Sequence, residues 1–153
     1  MTPELRELYQ EVILDHGKRP RNFRTMAGPT HHADGFNPLC GDKVHLKLMV
    51  KDGIIQEVAF QGQGCAISTA SASMMTQMLK GLEVAEATEL AEKVRALVSG
   101  NDDEAAAVRE QVGKLSVFSG VRDYPARVKC ATLVWHTLKS ALNNGGNKTI
   151  STE

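Results

Sequence analysis

Three cysteines, Cys40, Cys65 and Cys130, are the residues of this 153-residue chain whose chemistry packing explains least. Each falls at an expected element boundary. Cys40 lies in Asn37-Pro38-Leu39-Cys40-Gly41-Asp42, a turn-rich run just before a strand. Cys65 follows Gly62-Gln63-Gly64 and opens a helix, and Cys130 falls in the first turns of the last helix, after Pro125. Free cysteine is commonly buried as a small hydrophobe, and count alone favours that reading. Position alters it, because helix N-termini favour anions and so favour thiolates at Cys65 and Cys130, with or without a metal. An odd number of cysteines leaves one thiol over in any disulfide framework, and a chain this long needs no such staple. Three thiolates leave a tetrahedral zinc ion one ligand short. Asp42, two residues beyond Cys40, can supply the fourth, or can serve as a turn carboxylate that caps backbone amides. No Cys-x-x-Cys knuckle is present, so only tertiary structure can gather these groups.

The elements that must do the gathering are partly legible. Thr2, Pro3 and Glu4 read as an N-cap, a first-turn proline and a dipole-compatible acid. Leu5, Leu8, Tyr9, Val12 and Ile13 then follow at helical spacing until Gly17 and Pro20 close the helix. Residues 43–51 alternate so that Val44, Leu46, Leu48 and Val50 share one face, which predicts a half-buried strand. Asp52-Gly53 then predicts a type I′ hairpin into residues 54–61. Residues 25–34 are the candidate for a third strand. A helix from Cys65, with Ala70, Met74, Met78 and Leu82 at packing positions, should stop near Lys80 at Gly81. Residues 84–98 and 102–112 read as two further helices split by Ser99-Gly100, and a last helix runs from Pro125 to about Asn143. The sum is an α+β domain over residues 1–145: an N-terminal helix, a small antiparallel sheet of about three strands, then several helices covering one sheet face. Residues 146–153 are expected to form a disordered tail.

Composition excludes some partners. Eighteen basic residues balance eighteen acidic ones, so no net field attracts nucleic acid or an anionic membrane. No apolar run approaches a membrane span, and the acidic, amphipathic N-terminus is unlike a signal peptide, which makes the cytoplasm the expected location. Lys18, Arg19, Arg21 and Arg24 form a basic loop that reads either as solvated surface or as a docking site. His31, His32, His45 and His136 are metal-competent by type, but none falls within a cysteine motif, and His45 belongs to the polar face of its strand.

Residues 37–42, 62–68 and 127–133, each carrying one cysteine and occurring in that order, resemble the IscU-like family. Leu14-Asp15-His16, followed by Pro20-Arg21-Asn22, does so as well, and the resemblance covers residue 5 to about 142. That family contains cluster scaffolds of the IscU type and zinc sulfurtransferases of the SufU type. Scaffolds usually carry histidine before the third cysteine and a Leu-Pro-Pro-Val-Lys segment upstream. This chain has Lys129 and Tyr124-Pro125-Ala126-Arg127-Val128 there, and the two helical stretches between Cys65 and Cys130 look like the SufU insertion. Gly17 departs from the pattern, since relatives commonly have an aromatic residue at that point.

The SufU-like resemblance implies zinc held by Cys40, Asp42, Cys65 and Cys130. It also implies a partner cysteine desulfurase of the SufS type, and downstream cluster-assembly machinery that receives the sulfur. In the family mechanism a desulfurase histidine takes a zinc position and frees the cysteine matching Cys40, which makes Cys40 the implied persulfide acceptor. Arg127 and Lys129, beside Cys130, could support its thiolate or guide the partner, or could simply face solvent. The alternative function is a scaffold assembling a transient [2Fe–2S] cluster on the same ligands. A purely structural zinc site is a third reading, against which Asp42 argues, because closed structural sites favour cysteine and histidine.

Overall fold

The computed structural model describes residues 2–144 and 149–151. Helix α1, Pro3–Lys18, starts where Thr2 Oγ1 accepts the Leu5 amide at 3.1 Å. Three strands follow: β1, His31–Asn37; β2, Asp42–Lys51; and β3, Ile54–Gln63. The β2–β3 hairpin turns through Asp52 and Gly53, both at positive φ (54° and 76°), as a type I′ turn requires. Then come α2, Ala66–Leu79; α3, Val84–Ser99; α4, Asp102–Arg109; a 3₁₀ segment, Gly113–Val121; and α5, Pro125–Asn144. Capping boxes Glu83/Glu86 and Asn101/Glu104 start α3 and α4. A short strand β4, Thr149–Ser151, pairs parallel to β1, so the sheet order is β3-β2-β1-β4 with the first three strands antiparallel. The expected disordered tail, 146–153, lies outside the described residues apart from those three.

The sheet turns one face to α2 and α5 and the other toward solvent. On β2 the inward face is Asp42, Val44, Leu46 and Leu48, so the strand that builds the core also carries a carboxylate at its end. α1 packs on one side of α2, with α5 and β3 on others, which is why α2 is buried almost all round rather than along one stripe. The third strand begins at His31, later than the expected 25–34. Its inward residues are Ala33, Gly35 and Asn37, too small to leave an apolar alternation, because α5 packs directly over them. A side chain at Gly35 would run into the Thr137 hydroxyl of α5. Leu8 does not join the apolar stripe: it is 53% exposed, since α1 packs mainly through Tyr9, Val12, Ile13 and His16. The helix expected to reach 112 ends at Arg109, and Gly113 at φ 56° begins the 3₁₀ segment that buries Leu115, Phe118 and Val121 at its three-residue repeat. Among the described residues no helix is long and apolar enough to cross a membrane.

The motif residues after α1 form one polar network. His16 Nδ1 meets Ser73 Oγ at 2.8 Å, the same oxygen accepts the Arg21 amide at 2.8 Å, and Asn22 Nδ2 donates to Thr76 Oγ1 at 3.0 Å. Arg21 also pairs with Asp15 at 2.7 Å, which holds the Asp15 carboxyl below its ordinary range. This clamps the basic loop onto α2. Burial, reinforced by the Arg21 charge, pushes the His16 imidazole below its usual value, and burial does the same to His136. A histidine depressed in the folded state binds its proton more readily when unfolded, so its contribution is present above about pH 6.5 and is lost as pH falls through the folded value. Thermal melts should therefore show stability dropping between pH 7 and pH 5, with a shallower drop in the His16→Gln/His136→Gln variant. Equal slopes would show that neither ring is held neutral.

Candidate metal centre

The sheet ends where the chemistry collects. Asn37 closes β1 and accepts the Gly41 amide on its carbonyl at 2.8 Å, making a tight turn with Gly41 at φ 71° that carries Cys40 exposed at its tip. Asn37 Oδ1 also accepts the Leu39 amide at 3.3 Å. Asp42 opens β2 on the inward face and is 0% exposed. Cys65 is the N-cap of α2, its sulfur accepting the Ser68 amide at 3.4 Å, as the position predicts for a thiolate. Cys130 lies in the second turn of α5 and is buried, where the sequence suggested only proximity to the helix start. α5 is locked to α2 beside it: Ser71 Oγ donates to the Ala131 carbonyl at 2.6 Å and accepts Trp135 Nε1 at 3.1 Å.

These elements bring Cys40, Asp42 and Cys130 together with one ligand atom each, all within 4.8 Å of one another. The Cys40 and Cys130 sulfurs stand 3.6 Å apart. Cys65 borders the trio, its sulfur 4.0 Å from Asp42 Oδ2 and its amide donating to Asp42 Oδ1 at 2.9 Å. So Asp42 caps a backbone amide and also offers an oxygen to the cluster; the two readings of this residue coexist. Among the described residues no ion pair reaches Asp42. Like charges about 4 Å apart repel by about 4 kcal/mol at an effective dielectric near 20. Burial first, then its contacts with Asp42, Cys40 and Cys65, drives the Cys130 thiol strongly upward and keeps it protonated. A divalent cation reverses that balance, since a coordinating thiol is deprotonated outright. The three-sulfur, one-oxygen donor set suits zinc, and thiolate-rich sites also suit iron–sulfur clusters.

Other candidates fall elsewhere. The Arg127 guanidinium stacks 4.4 Å from the Tyr124 ring centroid, at the edge of a cavity of about 490 Å³ that also borders α1. Lys129 is half-buried on α5. His45 pairs with Asp34 at 2.8 Å on the open sheet face, and His31 meets the Thr30 hydroxyl. His32 and His136 stand outside the metal cluster. Two groups had no signal that sequence reasoning used. Asn37, fully buried, points Nδ2 at the Cys130 sulfur from 3.8 Å, and its place before a proline reads only as a turn. Gly64 lets the carboxylate in: a Cβ there would stand 2.6 Å from Asp42 Oδ1.

Residues 8–131 match the family model described as the NifU-like N terminal domain. The chain is 37% identical over 144 residues to a Streptococcus pyogenes serotype M1 protein named iron–sulfur cluster assembly scaffold protein IscU, covering 94% of this chain and 88% of the relative. It is also 37% identical over 142 residues to the Bacillus subtilis zinc-dependent sulfurtransferase SufU, covering 92% and 94%. Among solved structures it resembles a putative iron–sulfur cluster assembly scaffold protein for the SUF system from Fervidobacterium islandicum AW-1. That match has a TM-score of 0.79 at 31% identity, over 90% of this chain and 98% of the other.

If Asp42 serves as a zinc donor, Gly64→Ala should lower zinc affinity in a chelator competition by about 10- to 100-fold, because a Cβ there would press on the Asp42 carboxylate. It should also destabilise the protein by about 1–3 kcal/mol, the usual result of overpacking. A variant with wild-type affinity would mean that Asp42 is not a ligand.

Proposed function

This chain belongs to the family of the NifU-like N-terminal domain, and on that premise we propose that it is a zinc-dependent sulfurtransferase. It accepts persulfide sulfur from a cysteine desulfurase of the SufS type and passes it to iron–sulfur cluster assembly in the cytoplasm. The observation that carries this reading is the contrast between two neighbouring thiols. Cys130 is fixed in a buried helix, whereas Cys40 is exposed on a turn with its sulfur only 3.6 Å from that of Cys130. One thiol can leave the cluster to meet a partner while the others remain.

Cys40, Asp42, Cys65 and Cys130 would hold the metal. Zinc, when bound, supplies the positive charge that keeps its donors deprotonated, and it undergoes no redox change. The Asn37 amide helps to satisfy the buried Cys130 sulfur, and the Cys65 amide orients the Asp42 carboxylate. The Cys40 thiolate attacks the outer sulfur of the donor persulfide. A bond forms between Cys40 Sγ and that sulfur, the donor S–S bond breaks, and its electron pair leaves on the desulfurase cysteine as a thiolate. The product is a Cys40 persulfide.

A scaffold building a transient [2Fe–2S] cluster on the same donors is the second reading, supported by the equal identity of the IscU-named relative. Adding this protein to a matching desulfurase with cysteine should raise turnover saturably, and trapping with mass spectrometry should find persulfide first on Cys40. Cys40→Ser should return turnover to the desulfurase's own rate, since a hydroxyl cannot accept sulfane sulfur by exchange. Normal acceptance by Cys40→Ser would remove Cys40 from the role and turn attention to Cys130.

A further inference from the structure

Asn37 is fully buried at the end of β1, and its side chain joins two parts of the candidate metal centre. Its Oδ1 accepts the Leu39 amide at 3.3 Å, and its Nδ2 lies 3.8 Å from the Cys130 sulfur. The neighbours decide which end faces which: the Leu39 N–H is a donor and needs the oxygen, which turns the NH2 group toward a sulfur that can accept. The Asn37 carbonyl takes the Gly41 amide at 2.8 Å, so the residues on both sides of Cys40 are hydrogen-bonded to Asn37. Leu39 adds little packing, being 65% exposed, and Pro38 has no N–H to donate, so the turn depends on Asn37 for its hold.

We propose that Asn37 is a positioning residue for Cys40, a latch that fastens the turn carrying this sulfur to the helix carrying Cys130. Its backbone carbonyl alone would shape the turn without reference to α5. The side-chain amide supplies that reference, and with it the 3.6 Å separation of the two sulfurs. The two ends of the amide differ in what their loss does. Parting Leu39 from Oδ1 frees the Cys40 turn, while Nδ2 stays with Cys130 in the body of the fold. The latch therefore opens on one side only, releasing Cys40 and leaving its neighbour held. That this release serves sulfur acceptance rests on the sulfurtransferase reading above; the latch itself does not.

The test uses the full chain carrying Asn37→Ser or Asn37→Ala. A serine hydroxyl can still accept the Leu39 amide, as it does in turns of this kind, yet it lacks the atoms to reach Cys130 as well; alanine does neither. In metal-free protein equilibrated with reduced and oxidised glutathione, Cys40 and Cys130 pass two electrons and two protons to one oxidised glutathione, forming one S–S bond and two reduced glutathiones. The equilibrium constant, read by peptide mass, measures how closely the fold holds the two sulfurs. It should fall about fivefold in Asn37→Ser, the weight of one hydrogen bond, and further in Asn37→Ala. In zinc-loaded protein, iodoacetamide should label Cys40 about fivefold faster in both variants relative to Cys65 and Cys130. A wild-type disulfide constant in Asn37→Ser, an equal rise in the labelling of all three cysteines, or a wild type that forms no Cys40–Cys130 disulfide would overturn the proposal. If neither variant folds by circular dichroism, the wild type decides: hydrogen exchange at the Leu39 amide should be slowed about tenfold or more relative to an unstructured peptide, and an unprotected amide defeats the latch. Should the wild type bind no zinc, the zinc reading fails, and the disulfide constant still decides the role of Asn37.

Discussion

A buried carboxylate that no ion pair reaches among the described residues is the constraint around which this fold is arranged. Asp42 occupies the first inward position of a strand whose next inward residues are Val44, Leu46 and Leu48, so it sits where the core begins. It accepts the Cys65 backbone amide and lies among the cysteine sulfurs. Burying charge this way costs several kcal/mol unless it is neutralised. A bound cation can do so, and three neighbouring thiols favour that solution, because one divalent ion can engage all four donors at once.

The rest of the structure supplies the positions. The hairpin register sets Asp42 at the sheet end, the Asn37–Gly41 turn brings Cys40 across its mouth, and the start of α2 delivers Cys65 with its amide already aimed at the carboxylate. α5 contributes Cys130, and the Ser71 hydroxyl ties the backbone next to it to α2. Close approaches at Gly62 and Gly64 matter for the same reason: a side chain at Gly62 would collide with the Lys43 carbonyl, and one at Gly64 with Asp42 itself. The proposed ligands are held mostly on regular elements, and the one on a turn is the one the proposed chemistry needs to move.

Much of this was legible from residue types. Asp52-Gly53 between alternating runs specified the hairpin, and Thr2, Gly81, Gly100 and Pro125 marked element ends correctly, because each acts locally, Thr2 through its capping hydroxyl and the others through the backbone. The cysteine motifs pointed to one site, and the structure brings Cys40, Asp42 and Cys130 into one cluster with Cys65 at its edge. What escaped depends on partners distant in sequence. β1 carries Ala33, Gly35 and Asn37 inward because α5 presses on it, so its strand signature was erased. α2 looked amphipathic and is enclosed, since only the tertiary arrangement places α1 outside it. β4 is three residues long, too short for any period to show. Arg127 looked like a companion to Cys130 by adjacency, yet along a helix a three-residue offset does not fix which neighbour a long side chain chooses, and it stacks on Tyr124.

The central claim is that these four residues form one zinc-binding donor set. Zinc-edge X-ray absorption on the protein as purified, with total metal and acid-labile sulfide measured on the same sample, tests it most directly. The expected result is about one zinc per chain in a four-coordinate shell of three sulfurs and one oxygen or nitrogen donor, losing its oxygen signature specifically in Asp42→Ala. Iron with stoichiometric sulfide and little zinc, or zinc in a shell without sulfur, would contradict it.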